Sequence, residues 1–143
     1  VALGQLERID EIVGRRQTVG RMFLEATAGY DWFIPQVTPD GYEHAYYTFS
    51  VDYRGDEEKG TSWKEFYNKY KSMGGDGFYG AVAIPYTEPA LAGKSLGSII
   101  CMPGLCPVAE ALQSRVMCFK TNYRNLDVAH RKIEVLAELL SIL

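Results

Sequence analysis

The sequence predicts an α+β fold, a short, largely antiparallel sheet covered by helices, and three observations carry that prediction. Segments with helical and strand-like patterns follow one another as helix, strand, strand, helix, strand, helix, strand, helix, an order that suits a small sheet with helices on one side. The helical segments repeat apolar residues at three- and four-residue spacing, whereas the strand-like ones concentrate Tyr, Phe, Thr and Val in short runs. With 143 residues, 47% hydrophobic and 23% charged, the chain has the size and composition of one soluble domain.

The first element is a helix already under way where the sequence begins. Ala2, Leu6, Ile9 and Val13 fall on one face and Glu7, Arg8, Asp10 and Glu11 on the other, so a stripe is available for burial. No Ser, Thr, Asp or Asn precedes the stripe as a cap. That is expected of a piece of a longer protein with sequence missing upstream, or of an uncapped terminal helix. The helix is predicted to reach about Ala28, weakened by Gly14 and Gly20, and to stop at Gly29. Trp32 to Val37 reads as a short strand confined to an edge or end by Pro35, and Asp40-Gly41 as a turn. His44 to Tyr53 is the strongest strand, with Tyr47, Phe49 and Val51 on one face, and Arg54 to Gly60 is charged and turn-like.

The second helix has a defined start. Ser62 and Glu65 have capping-box spacing, and the helical repeat of Trp63, Phe66, Tyr67 and Tyr70 marks a core or interface face. Gly74-Gly75-Asp76-Gly77 follows this helix and leads into none, so it reads as a helix stop with a turn and not as a phosphate cradle. Phe78 to Ile84 is a β-rich run ending at Pro85, and Tyr86 to Pro103 is a loop of a length that goes with function or flexibility. Pro107 opens a short helix through Gln113, and Val116 to Phe119 forms a further strand. Asn125 caps a last helix whose Ala129, Ile133, Leu136, Leu140 and Leu143 share a face.

Several function classes are disfavoured. A net charge of −3 speaks against nucleic acid as the main partner. No apolar run approaches the ~20 residues of a membrane span, and the N-terminus has no signal-peptide pattern, so a cytoplasmic location is expected. Three cysteines, Cys101, Cys106 and Cys118, leave at least one unpaired and argue against a disulfide-stapled domain. They and the two histidines lack zinc-site spacing, so no metal site is expected. There is no P-loop and no HExxH, no GxGxxG follows a strand, since the spacing at Gly75 to Gly80 comes after a helix, and the GxSxG spacing at Gly93 to Gly97 falls in the long loop and makes no nucleophile elbow.

Three segments offer candidate contacts. His44 stands beside Tyr46 and Tyr47, where it can meet a substrate hydroxyl or carboxylate, or simply pair with a neighbour. Tyr86-Thr87-Glu88-Pro89 follows a strand end, where loops commonly reach ligands. Lys120-Thr121-Asn122-Tyr123 presents a cation and two hydrogen-bonding groups, or an ordinary turn into the capped helix. His130, between Ala129 and Arg131, reads as solvated surface.

In this order the pieces resemble the C-terminal part of the sugar aminotransferases of the DegT/DnrJ/EryC1/StrS family. The resemblance rests on Ala2-Leu3-Gly4-Gln5-Leu6-Glu7-Arg8-Ile9-Asp10-Glu11-Ile12 with Arg15-Arg16, on His44-Ala45-Tyr46-Tyr47-Thr48-Phe49, and on Ile84-Pro85-Tyr86-Thr87-Glu88-Pro89. Pro107-Val108-Ala109-Glu110 and the closing helix add to it. It implies the small C-terminal domain of a fold-type I aminotransferase over residues 1–143, with 1–29 the helix that joins it to a missing N-terminal domain. That domain would supply pyridoxal phosphate, the lysine that anchors it covalently and the acidic partner of its pyridine nitrogen. The fragment itself would bind no cofactor, carry no catalytic residue and be inactive.

The parent would move an amino group from an amino-acid donor to a nucleotide-linked keto sugar, as a homodimer. His44, Tyr86 and Lys120 are the residues whose match implies substrate contact. Where the family often has a Leu-His-Pro-type segment this chain reads Phe119-Lys120-Thr121-Asn122-Tyr123, and Lys94 to Leu105 has no evident counterpart. Two other readings stand beside this one. One is a non-catalytic protein-binding or assembly module that uses the aromatic helix and the long loop. The other is a stand-alone enzyme built on His44, Lys120 and a carboxylate.

Overall fold

The computed structural model describes residues 2–80 and 83–143. Val1, where the first helix was expected to be under way, and Ala81 and Val82, inside the strand expected over Phe78 to Ile84, lie outside the described residues.

The N-terminal segment forms two helices, α1 (Ala2–Leu6) and α2 (Ile9–Thr27), where the sequence pattern predicts one. The break falls at Arg8, with φ −118° and ψ 17°. No packing on α1 enforces a continuous helix across it. None of that helix's residues is buried, Leu3 being 68% and Leu6 62% exposed, and a helix this short is marginal without tertiary support. By contrast α2 buries Val19, Gly20, Phe23 and Thr27, and ends where Ala28 turns extended ahead of Gly29 at φ +89°.

The other elements follow in chain order as β1 (Phe33–Pro35), β2 (Thr48–Tyr53), α3 (Gly55–Lys59), α4 (Trp63–Ser72) and β3 (Tyr79–Gly80). A 3-10 turn at Pro85–Thr87 leads to β4 (Ser95–Leu96), β5 (Ile99–Ile100), α5 (Pro107–Gln113), β6 (Val116–Lys120) and α6 (Leu126–Ser141). The main sheet has the order β1-β2-β6-β3 with every pairing antiparallel. Phe49, Val51 and Tyr53 of β2 and Met117 and Phe119 of β6 point to one face. There they meet Val19 and Phe23 of α2, Phe66 and Tyr70 of α4, and Ala129, Ile133, Leu136 and Leu140 of α6. The centre is aromatic. Phe78 lies 4.7 Å from Phe119 and Phe23 stacks on Phe49 at 4.8 Å, contacts worth about 0.5–1.5 kcal/mol each beyond the area they bury.

The local signals at the helix starts are realised. Ser62 Oγ accepts from the Glu65 amide at 3.3 Å while Glu65 Oε2 accepts from the Ser62 amide at 2.8 Å, and Asn125 Oδ1 accepts from the Asp127 amide at 2.8 Å. Three segments differ from expectation. The strand expected from His44 starts only at Thr48, because Tyr46 adopts φ +46° and leaves Tyr47 80% exposed, off the core face. The charged run after Arg54 closes into α3, and the long loop contains the β4–β5 hairpin, turning at Gly97 with φ +64°.

Candidate functional site

The sheet face opposite α2, α4 and α6 carries a cleft of about 620 Å³, a size suited to a small ligand. Its floor follows from strand alternation. Thr48 pairs with Lys120, Ser50 with Cys118 and Tyr79 with Cys118, so Thr48, Cys118 and Lys120 point away from the core and into the cleft. Arg16, Tyr47, Tyr79 and Asn122 form its walls.

One wall is held by a clamp on residues 46 and 47. Arg16 donates to the Tyr47 carbonyl at 2.7 Å, and the buried Thr121 hydroxyl donates to the Tyr46 carbonyl at 2.5 Å. Behind the clamp the Tyr46 ring lies against Gly20, where a Cβ would stand 2.6 Å from the ring, so α2 needs glycine at this point. The Arg16 guanidinium lies 5.3 Å from the Tyr47 ring centroid. The tyrosine is thereby presented outward as part of the cleft.

Lys120 is anchored from the side. Its Nζ donates to Asp76 Oδ2 at 3.0 Å and sits 4.5 Å from the Tyr123 ring centroid. Asp76 is delivered by the glycine run. Gly74 takes φ +95°, and the Gly75 amide donates to the Tyr70 carbonyl at 2.9 Å so closely that a Cβ there would meet the Tyr70 ring at 2.3 Å. Asp76 also accepts from Tyr123 Oη at 2.9 Å and faces Lys132 Nζ at 3.4 Å. Burial acts to raise the Asp76 carboxyl, but the hydrogen bonds from Lys120 and Tyr123 and the charges of Lys120 and Lys132 outweigh it and hold it below the usual carboxylate range. Burial, with the neighbouring Asp76 carboxylate, pushes the Tyr123 hydroxyl up.

Of the three sequence candidates, only Lys120 lines this cleft. His44 is half-buried, its Nδ1 accepting from the Tyr46 amide at 2.7 Å and its ring 4.2 Å from that of Tyr46. Tyr86 belongs to a separate small cluster with Ile84 and Cys101. Its hydroxyl donates to Glu110 and accepts from the Cys106 amide at 3.1 Å, and burial together with Glu110 pushes it up to about 12. The Glu110 carboxyl is held low by that hydrogen bond and by the Gly104 amide. Two contributors carry no local signal in the sequence: Asp76 stands in a helix-stop turn and Arg16 on a helix face, and their partners lie 44 and 31 residues away.

The architecture has solved counterparts. DesV of S. venezuelae, determined with a ketimine intermediate, superposes with a TM-score of 0.74 over 95% of this chain at 20% identity. The fold is that of the C-terminal portion of an aminotransferase. DesI, determined in the presence of its TDP-sugar product, matches with a TM-score of 0.71 over 97% of this chain at 15% identity. A DegT DnrJ EryC1 StrS aminotransferase from Brucella abortus matches with a TM-score of 0.68 over 95% at 19% identity. The chain spans only about a third of these solved chains, 34%, 34% and 33% of their lengths respectively. No family model matches the sequence, and no curated protein does.

The described residues do not by themselves fit pyridoxal phosphate. Lys120, the lysine in the cleft, has its amine tied to Asp76, and no acidic side chain lines the cleft to face a pyridine nitrogen. What they do supply is a wall with a fixed cation, hydroxyl and amide groups at Thr48 and Asn122, and two aromatic rings. Among the described residues no group of three His, Cys, Asp or Glu side chains is placed to hold a metal, and no helix is long and apolar enough to cross a membrane.

Proposed function

We propose that this chain is the C-terminal portion of an aminotransferase that uses pyridoxal phosphate to transfer an amino group from an amino-acid donor to a nucleotide-linked keto sugar. The observation that carries the reading is the match of nearly the whole chain to one third of several solved chains, among them a DegT DnrJ EryC1 StrS aminotransferase and DesI determined with its TDP-sugar product. The exposed apolar residues of α1 support it, since Leu3 and Leu6, with Ile9 at the break, form a stripe suited to packing against a preceding domain. In this reading residues 1–29 join the two domains, the parent is a dimer working in the cytoplasm, and the isolated chain is inactive.

The chain's own contribution is binding and orientation. When bound by the rest of the enzyme, the cofactor supplies the amino-group chemistry. Lys120, fixed by Asp76, presents a positive charge to the substrate from β6, and Thr48 and Asn122 offer hydrogen bonds beside it. His44 and Tyr86 are assigned further contacts to donor or sugar, which the missing domain would bring into reach. The test uses the protein expressed from its complete reading frame, supplied with glutamate and TDP-linked keto sugars, with the products weighed by mass spectrometry. An amino sugar formed by that protein and not by the 143-residue chain is expected. No amino sugar from any donor and keto-sugar pair, with pyridoxal phosphate present, refutes the reading.

A further inference from the structure

Next to the cleft, and sharing Arg16 and Asn122 with it, lies a second pocket of about 450 Å³ lined by Arg8, Arg15, Arg16 and Arg124. The chain's net charge of −3 conceals this concentration. The pocket exists because the N-terminal helix breaks at Arg8, which leaves Gln5 of α1 as one wall, α2 as the second and the loop after β6 as the third.

Among the described residues no acidic side chain lines it, and the carboxylate bonded to its arginines is that of Glu11. Glu11 accepts from Arg8 at 2.9 Å and from Arg15 at 2.6 Å. Four guanidiniums against this one carboxylate leave three positive charges around one concavity. Arg16 spends one nitrogen on neutral acceptors, the Tyr47 carbonyl and the Thr121 hydroxyl, so its position is fixed while its charge stays uncompensated. Glu11 itself shows the kind of oxygen acid that these arginines grip. Planar guanidiniums pair with phosphate oxygens in the same two-pronged way, and a surplus of three charges suits a diphosphate better than a single carboxylate.

We propose that this pocket is a binding site for a diphosphate group, held by Arg15, Arg16 and Arg124 with Arg8 and Asn122 at its rim. A free diphosphate and the diphosphate of a nucleotide offer it the same chemistry. The site stands on this chain's own residues and is read without transamination, so its failure and that of the aminotransferase reading are separate results.

The test is calorimetric titration of the 143-residue chain with inorganic pyrophosphate and with TDP at constant ionic strength, with folding of each variant checked by circular dichroism. Saturable one-site binding of pyrophosphate is expected. Arg124→Ala and Arg15→Gln should each weaken it about tenfold, and Lys71→Gln, the same charge change on α4, less than twofold. Glu11→Gln should tighten it severalfold by releasing Arg8 and Arg15, and Glu138→Gln should not. TDP binding equal to or tighter than pyrophosphate is expected, since the phosphates are common to both. No saturable binding of pyrophosphate overturns the proposal. So does a loss no larger in Arg124→Ala than in Lys71→Gln, which would be diffuse charge attraction, or TDP binding that persists unchanged in Arg124→Ala.

Discussion

Two glycines of α2, six residues apart, should respond to the same substitution with opposite signs. A Cβ added at Gly14 meets nothing within 4 Å, whereas one added at Gly20 would lie 2.6 Å from Tyr46 Cγ and 2.7 Å from both Cδ atoms. Replacing a helical glycine by alanine gains about 1 kcal/mol of helix propensity, and Gly14→Ala should keep it. At Gly20 the methyl overpacks a filled site, which costs about 1–3 kcal/mol. The near end of the Tyr46 ring takes the contact, its backbone is pinned by Thr121 and by Arg16 through Tyr47, and the ring itself is packed against His44 at 4.2 Å, so both resist moving aside. The cost therefore falls at the upper end of that range, for a net loss of about 2 kcal/mol. Urea denaturation reads both variants. In a Tyr46→Ala background the clash is gone, and Gly20→Ala should become stabilising by about 1 kcal/mol, a coupling of about 3 kcal/mol between the two sites. A Gly20→Ala protein as stable as the parent, or additive effects in the double variant, would refute the packing of Tyr46 on α2.

Other perturbations have equally definite outcomes. Because the folded state lowers the Asp76 carboxyl, its stabilisation is present above its unfolded value of about 4 and is lost as pH falls through the lower folded value. Asp76→Asn should cost about 2 kcal/mol at pH 7 and flatten urea-measured stability against pH below about 4, since Lys120, Lys132 and Tyr123 lose their charged acceptor. Ser62→Ala removes the capping box of α4 and should cost about 1 kcal/mol in the same assay. Tyr86→Phe unties Glu110 and the Cys106 amide, and should speed hydrogen exchange of the 84–106 segment while leaving the amides of β2 and β6 protected.

What the sequence disclosed was what short-range chemistry decides. The capping box at Ser62, the Asn125 cap, Pro107 at a first helical turn and the buried stripe of α6 each involve residues within a few positions of one another, and each is realised. Strand alternation also placed Phe49 and Val51 on the core face. The pattern failed where distant residues decide. Tyr46 and Tyr47 have strand-forming side chains, but Thr121 and Arg16 hold their backbone in another course. In α3 five residues are too few for periodicity to speak, and the helix is closed by Gly60 at φ +62°. The β4–β5 hairpin did leave a trace, since Gly97-Ser98 between two pairs of strand residues is a short hairpin signal. Of the candidate site, Lys120 was legible as a cation at a strand end. The Asp76 that fixes it, and the arginines gathered by the helix break, were not, because nothing local connects them.

In the function proposed above, this fold would form about one third of an enzyme whose cofactor the remainder would hold. The most direct measurement is the pyridoxal phosphate content of the protein expressed from its complete reading frame, with the attachment site located by borohydride reduction and peptide mass. One cofactor per chain, attached to a lysine upstream of Val1, is the expected result. Cofactor attached to Lys120 or another lysine of this chain, or a complete protein that takes up none, would contradict it.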